Sequence, residues 1–511
     1  MSSSPDFSSA SSSCGTSSSE EDIEICNYQH FVRWAGAIFN VLCGLANGYD
    51  LSVVATMLNL IVADIALCGS RSLQDAREAV CPNKQAVMSM VAAGATCGRL
   101  LLTWTADRFG RRIALVIVDV IIISALAVQC LARTSVDFLI GRFMFGVGVG
   151  CAFVTSTVYL CEIAPPSQRG MFTALNELAV CVGYMLGLHV NTLLKLDHVS
   201  WRVAVAISAV PVVVQLLFLP ILPESPRWLA IHGSSAGFEQ AAHAFGLSRN
   251  EIDDLRRLRS RIKRRAKRSA TKGSQGRKSL WDAQLTAWRS HAKAFGIVLG
   301  YNVFTTGSSI YAMQAYAPDI LRYVGVSEPA IWQPFVGWMK IAGALVAVFG
   351  TDILCVGRRR LSVAGATGCC LCQLLLALSL LMPGTVPVVA SALAYLVFVF
   401  TWNAGYGGLQ FVVSLELLPN EVRPIWQGQI LFLTGILEIL IYQCFLTVLQ
   451  ANGIATFLLF SFINLLGAVF AAQCLPDVTG QSLEQVSEQS GQCQGQPRLD
   501  SKQEQFSTPD E

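Results

Sequence analysis

The chain has 511 residues, a net charge of only +3, and 53% hydrophobic against 14% charged residues, with a mean hydropathy of +0.50. Soluble domains carry about 25% charged residues, so this composition excludes a water-soluble globular protein and points to a membrane protein, with no nucleic-acid partner expected. No nucleophile–base pair, phosphate-cradling loop or metal-ligand spacing appears, so neither an enzyme nor a cofactor is expected.

The chain opens with Ser-rich residues lacking the apolar core of a secretory signal, followed by the acidic run Glu20, Glu21, Asp22 and Glu24. Residues 1–27 read as a disordered tail. Twelve apolar segments of membrane-crossing length follow, near 33–66, 86–106, 113–132, 138–160, 172–194, 203–222, 294–321, 333–353, 361–382, 387–414, 425–449 and 452–474. Six lie in an N-terminal half, 28–229, and six in a C-terminal half, 292–476. A polar tail, 477–511, rich in Gln, Ser and Glu, ends the chain. The predicted fold is an all-α membrane protein with twelve transmembrane helices in two six-helix repeats.

Arg108, Arg111 and Arg112 follow the second span, a dense run from Arg256 to Arg268 follows the sixth, and Arg358, Arg359 and Arg360 follow the eighth. Basic loops stay in the cytoplasm, which predicts that both termini and the loop 230–291 are cytoplasmic, with the plasma membrane the expected location. Within that loop, Glu251–Ser269 reads as a basic amphipathic helix with Ile252, Leu255 and Leu258 on its thin apolar side. It docks under the bundle or on anionic lipid, or serves as a solvated linker. The 17 cysteines are mostly single within apolar stretches and read as small buried hydrophobes. Cys68 and Cys81 flank a polar loop and could pair if that loop faces outside.

An internal repeat runs through these loops. Glu162-Ile-Ala-Pro165 with Arg169 recurs as Glu416-Leu-Leu-Pro419 with Arg423, 254 residues later. Gly110-Arg111-Arg112 recurs as Gly357-Arg358-Arg359 at an offset of 247, and Pro223-Glu224 as Pro476-Asp477 at 253. Duplicated halves around a midplane site are a transporter plan. Asp107, Arg111, Arg112, Glu162, Arg169, Glu224, Arg227, Arg358, Arg359, Glu416 and Arg423 are expected to pair on the cytoplasmic side as a gate.

In order along the chain, Asp107-Arg-Phe-Gly-Arg-Arg112, the glycine-ridged Gly141-Arg-Phe-Met-Phe-Gly-Val-Gly-Val-Gly150, Val158 to Pro165 with Arg169-Gly170, Pro223-Glu-Ser-Pro-Arg-Trp-Leu229 and Pro476 to Glu484 resemble the sugar-porter branch of the major facilitator superfamily. The resemblance implies alternating access around a central sugar site, carried by a monomer in the bilayer. Gly146, Gly148 and Gly150 read as close-packing positions between helices.

Ionisable groups inside a membrane are functional hypotheses by default. Asp50 in the first span and Arg142 in the fourth match the pair that marks proton-coupled sugar porters, so protons are the expected coupling ion, a static ion pair being the alternative. In the fifth span, Glu177 stands where the resemblance implies a sugar-binding Gln, and Glu177 and its neighbour Asn176 are both expected to bind the solute. Asp119, Lys340 and Glu438 also fall within spans and receive no role. In the second half the pattern weakens. Aligned on Tyr316-Ala-Pro-Asp-Ile320, the family's paired glutamines become Thr305 and Thr306, its asparagine becomes Tyr311, its stacking Trp becomes Phe411, and its eleventh-span amide becomes Thr434. Leu354 replaces the acid before Gly357. A Thr offers one short hydroxyl where a Gln offers two donors and an acceptor. The expected solute is therefore a sugar or related polar molecule; alternatives are a cation, carboxylate or phosphate, or a nontransporting nutrient sensor.

Overall fold

The computed structural model describes residues 20–476 apart from 66, 68–81, 102, 166–167, 197–199, 272–279, 353–356, 383 and 419–422. The segments 1–19 and 477–511, Leu354, the Cys68/Cys81 pair and the side chains of Arg169, Glu416 and Arg423 lie outside the described residues.

Among the described residues every regular element is helical. The first span joins α1 (Glu20–Asn40), which starts inside the segment read as a tail, to α2 (Leu42–Asp64). The second is α3 (Pro82–Leu101), followed by the short α4 (Thr103–Phe109). Spans three to five are α5 (Arg111–Leu131), α6 (Ser135–Ile163) and α7 (Arg169–Leu196). The sixth is α8 (Trp201–Ile207) with α9 (Ala209–Phe218). Three helices outside the bilayer follow: α10 (Pro226–His232), α11 (Ser235–Ala244) and α12 (Arg249–Thr271). The seventh span is α13 (Leu280–Gly307), bent at His291, then α14 (Ile310–Ala315) and α15 (Ala317–Tyr323). Spans eight and nine are α16 (Pro329–Asp352) and α17 (Arg358–Ser379). The tenth is α18 (Thr385–Trp402), a π-helical turn at Asn403–Gly407, and α19 (Gly408–Leu417). The last two are α20 (Arg423–Ala451) and α21 (Gly453–Cys474). Ten of these spans are long and apolar enough to cross a membrane unaided; the second, which carries Lys84 and Arg99, and the broken seventh complete the twelve.

Packing repeats as the sequence does. The second span lies on the fourth and the eighth on the tenth; the third lies on the fourth and the ninth on the tenth. The two halves meet along two principal seams, α3 against α20 and α7 against α16. Adding six to each span number converts the first seam, spans two and eleven, into the second, spans eight and five. Gly110 (φ 99°) and Gly357 (φ 84°) open α5 and α17 in the left-handed region, which explains why glycine precedes both Arg-Arg pairs. Gly146 and Gly150 bring α6 onto α3: a Cβ there would sit 2.1 and 2.2 Å from the carbonyl oxygens of Val91 and Ala95. Gly148 faces Ile122 of α5. These glycines serve packing, as their spacing implied.

The basic helix forms and docks. Ile252 and Leu255 pack with Leu229, Ala230, Phe238 and Ala242, tying α12 to α10 and α11 at the loop end of the bundle. Arg33 of α1 donates to the carbonyls of Phe245 and Gly246 and joins this layer to the first span.

Candidate functional site

Asp50 and Arg142 are both about 1% exposed, and Arg142 Nη1 donates to Asp50 Oδ2 at 2.5 Å. Arg142 Nε also donates to the Val87 carbonyl, and the guanidinium lies 5.8 Å from the Phe145 ring centroid. Three spans therefore fix the cation: its own α6, α2 through the carboxylate, and α3 through a backbone oxygen. Among the described residues Asp50 Oδ1 has no hydrogen-bond partner. One oxygen of the pair is thus held and the other is open to a proton. Two turns toward the loop end on the same helix face, the Cys43 thiol donates to the buried Asp119 at 3.0 Å, and Cys43 N donates to Gln215 of α9 at 2.8 Å.

The second cluster spans the α7/α16 seam. Glu177, Cys181 and Tyr184 fall at i, i+4 and i+7 on α7, one helical stripe. Cys181 donates to Asn403 Oδ1 of the π turn at 3.4 Å and approaches Glu177 Oε1 at 3.9 Å. Lys340 of α16 is 1% exposed; its ammonium donates to Gln314 Oε1 at 2.9 Å and lies 4.6 Å from the Tyr184 ring centroid. Tyr184 in turn donates to the Gln314 carbonyl at 3.2 Å. Thr56, Tyr184, Leu188, Gln314 and Gln333 line a crevice beside this cluster that holds no water-sized void, far short of the roughly 300–1,000 Å³ of a ligand pocket, so the space on this side is closed in the conformation seen.

The remaining expected solute ligands separate into two groups. Tyr311 stands edge-on to Trp402, centroids 6.0 Å apart, and Phe411 meets Phe153 of the other half at 5.0 Å. Both stay near the midplane between halves. Thr305 and Thr434 are buried, and each spends its hydroxyl proton on its own helix, toward the carbonyls of Tyr301 and Ile430. As ligands they retain only acceptor capacity. Thr306 is buried beside the helix break. Asn176 corrects the expectation: its amide donates to Thr157 at 3.4 Å, and its Oδ1 lies 2.8 Å from where a Cβ on Gly44 would stand. It packs inside the first half, because one residue's step along α7 from Glu177 turns the side chain by about 100°.

Several polar features escaped the sequence reading. Ser309 is left-handed (φ 68°) and interrupts the seventh span between Gly307 and Ile310. Gln373 caps the break, donating to Ser308 O at 3.1 Å and Ser309 Oγ at 3.0 Å. Broken helices and π turns near the midplane mark solute sites in transporters; the glycines at 307, 405, 407 and 408 were the available signal. Arg99 of α3 pairs with Glu438 of α20 at 3.6 Å and also donates to the Leu431 carbonyl. At the end remote from the basic loops, Lys84 pairs with Asp319 at 3.4 Å, Gln85 donates to Thr447 at 2.9 Å, and Ser89 donates to Gln443 at 3.0 Å. All five contacts cross between halves.

At the loop end, Arg111 grips Glu162 through Nε and Nη2, both at 3.1 Å, and reaches Asp107 at 3.2 Å. Glu224 accepts from the backbone N–H groups of Arg111, Arg112 and Ser225. Burial pushes its carboxyl above the usual glutamate range, while those three donors pull it down. Arg112 donates to Leu222 O at 2.8 Å, and Trp228 to Asp107 O at 2.8 Å. Each of these bonds lies inside the first half and fastens the second-to-third loop to spans four and six. In the second half, Arg359 donates to the Ala472 carbonyl of α21. Arg227 makes no ion pair among the described residues.

A sequence model of the family described as "Sugar (and other) transporter" matches residues 36–489. The chain is 30% identical over 459 residues to the probable metabolite transport protein CsbC of Bacillus subtilis, covering 88% of this chain and 92% of that one. It is 28% identical over 463 residues to the probable polyol transporter 4 of Arabidopsis thaliana (88% and 84%), and 27% identical over 458 to the glucose transporter GlcP of Staphylococcus epidermidis (88% and 95%). Its fold superposes with TM-score 0.74 on the proton:xylose symporter XylE bound to 6-bromo-6-deoxy-D-glucose, at 21% identity over 90% of this chain and all of that one. A partially occluded inward-open form of XylE from E. coli gives 0.68 at 18% identity, covering 88% and 99%. The chain belongs to the sugar (and other) transporter family and has the twelve-helix major facilitator fold.

Proposed function

We propose that this protein is a proton-coupled symporter of a sugar or related polyol. It works as a monomer in the plasma membrane, with both termini and residues 230–291 in the cytoplasm. The observation that carries the coupling is the buried Asp50–Arg142 pair with one carboxylate oxygen unsatisfied. A proton arriving at Oδ1 neutralises Asp50 and removes the charge that holds Arg142 in place. Among the described residues the guanidinium then keeps the Val87 carbonyl and the Phe145 face. The contacts among spans one, two and four loosen, and the equilibrium between access states shifts by the difference in proton affinity of the two. Solute binds between the halves, near Glu177, Tyr311, Trp402 and Phe411. Release of both to the cytoplasm lets Asp50 reclaim Arg142 and resets the cycle.

The sugar reading rests on the family and on the relatives named for polyol and glucose transport; the orientation rests on the arginine-rich loops. The two halves of one chain enclose the midplane cluster, which supports the monomer. Uptake by purified protein in liposomes, with and without an inward proton gradient, tests the proposal. Gradient-dependent accumulation of a hexose or polyol is expected; accumulation of carboxylates, phosphates or cations instead would refute the solute class, and binding without flux would refute transport.

A further inference from the structure

Lys340 takes no part in the coupling pair, and Glu177 puts a negative charge among the proposed solute ligands. A lone carboxylate at a sugar site would favour cations over neutral solutes. The structure supplies a counterweight. Lys340, from the opposite half, is almost fully buried and aimed at the same stripe of α7, where Tyr184 receives it on its ring face and Gln314 on its amide oxygen. Glu177 and Lys340 form no ion pair within 4.0 Å; Lys340 meets the α7 stripe at Tyr184, two turns along from Glu177, near enough for its charge to act on the carboxylate. Glu177 is only half-buried, and among the described residues its one hydrogen-bond neighbour is the Cys181 thiol at 3.9 Å, whose proton lies closer to Asn403 Oδ1. Acceptor capacity therefore remains for a solute hydroxyl. The Lys340 ammonium, with Gln314 and the Tyr184 face as partners, has a donor left over.

We propose that Lys340 balances Glu177 across the α7/α16 seam, so that the central site is electrically neutral and selects an uncharged polyhydroxylated solute over its amino and carboxylate derivatives. This rests on the reading of the chain as a sugar or polyol transporter. An amino sugar meets the ammonium of Lys340 as a like charge in a desolvated space; a uronate meets the carboxylate of Glu177 in the same way. A neutral polyol offers hydroxyls to both, one accepting from Lys340 and another donating to Glu177.

The test measures uptake of labelled glucose, glucosamine and glucuronate in liposomes clamped at zero membrane potential, at a pH where the amine is protonated. Detergent thermal shifts with the same three compounds read binding separately. Wild type takes up glucose in preference to both charged analogues. Lys340→Gln shifts the glucosamine-to-glucose ratio upward by about tenfold, and Glu177→Gln shifts the glucuronate-to-glucose ratio upward by a similar factor, since removing one like-charge clash is worth at least one decade. Lys340→Arg keeps the wild-type ratios, and the double variant Glu177→Gln/Lys340→Gln returns toward them. Ratios within about twofold of wild type in both single variants, by uptake and by thermal shift, overturn the proposal while leaving the transporter reading intact. Failure of wild type to bind or move glucose, alongside avid uptake of a charged analogue, overturns both.

Discussion

Replacing Asp50 with Asn removes one negative charge and one protonation site while keeping a side-chain oxygen near Arg142 Nη1, now 2.5 Å from the carboxylate. Deleting one partner of a buried pair outright costs about 3–5 kcal/mol; the amide retains an acceptor, so folding survives at part of that cost. The functional effect is different in kind. With one proton carried per solute, each pH unit of gradient supplies about 1.4 kcal/mol, enough to hold the solute at about tenfold higher concentration inside liposomes at zero potential. Asp50→Asn should bring that ratio to about one while counterflow of labelled solute into preloaded liposomes continues. The assay is a pair of time courses, one driven by a pH step and one by preloaded solute. Retention of near-tenfold accumulation by the variant would show that the coupling proton binds elsewhere, Asp119 being the next buried carboxylate in line. Loss of both time courses with an intact thermal transition would show that Asp50 is needed for the conformational cycle itself and refute its role as the proton carrier alone.

The Arg99–Glu438 pair joins the α3/α20 seam with side chains 17% and 12% exposed. Glu438→Gln should destabilise the protein in detergent by about 1–3 kcal/mol, and Arg99→Met/Glu438→Leu should recover most of it; equal melting temperatures for single and double variants would count against a buried pair. Gly48→Ala places a Cβ 1.9 Å from the Val180 carbonyl oxygen, whereas Gly296→Ala meets nothing within 4 Å. The first should cost about 3 kcal/mol or more and broaden the size-exclusion peak, and the second should be neutral or gain up to about 1 kcal/mol from helix propensity; the reverse ranking would break the packing argument. Burial raises the Glu224 carboxyl above its ordinary 4.5, so the folded state binds that proton more tightly than the unfolded one. Its contribution is present below 4.5 and is lost as pH rises through the raised value. Melting curves of Glu224→Gln should show a flatter decline over that window, and an unchanged slope would assign the pH dependence to other groups.

Ten of the twelve spans were legible as long apolar runs, and the duplication because charged loop motifs repeat at nearly one spacing. The seventh-span break was only partly legible: Thr305-Thr306-Gly307-Ser308-Ser309 is a run of poor helix formers inside an apolar span, but the left-handed residue depends on the tertiary hold of Gln373 on Ser308 and Ser309. Asn176 was assigned by its neighbour rather than by helical phase, and phase decides which residues look across a seam. The loop-end charges were found by motif, but Arg111, Glu162 and Glu224 turned out to pair within the first half, since both carboxylates converge on Arg111. Arg99 and Lys84 were missed because single cations in the least apolar span of the first half look like loop edges until α20 and α15 supply their acids.

The close approach of backbones at the seams has a mechanical consequence. Gly435, near the middle of α20, lies so near Thr96 that a Cβ would fall 2.1 Å from its hydroxyl, and Gly337 of α16 sits similarly against Met185. Walls without side chains offer a pivot rather than a latch. A helix of about 20 residues is about 30 Å long, so its ends stand about 15 Å from such a pivot and travel about 1 Å for every 4° of rocking. The hydrogen bond from Gln85 to Thr447 at one extremity is 2.9 Å long, so a tilt of only a few degrees ruptures it. The remote contacts therefore break together early in the swing, which makes opening abrupt rather than gradual.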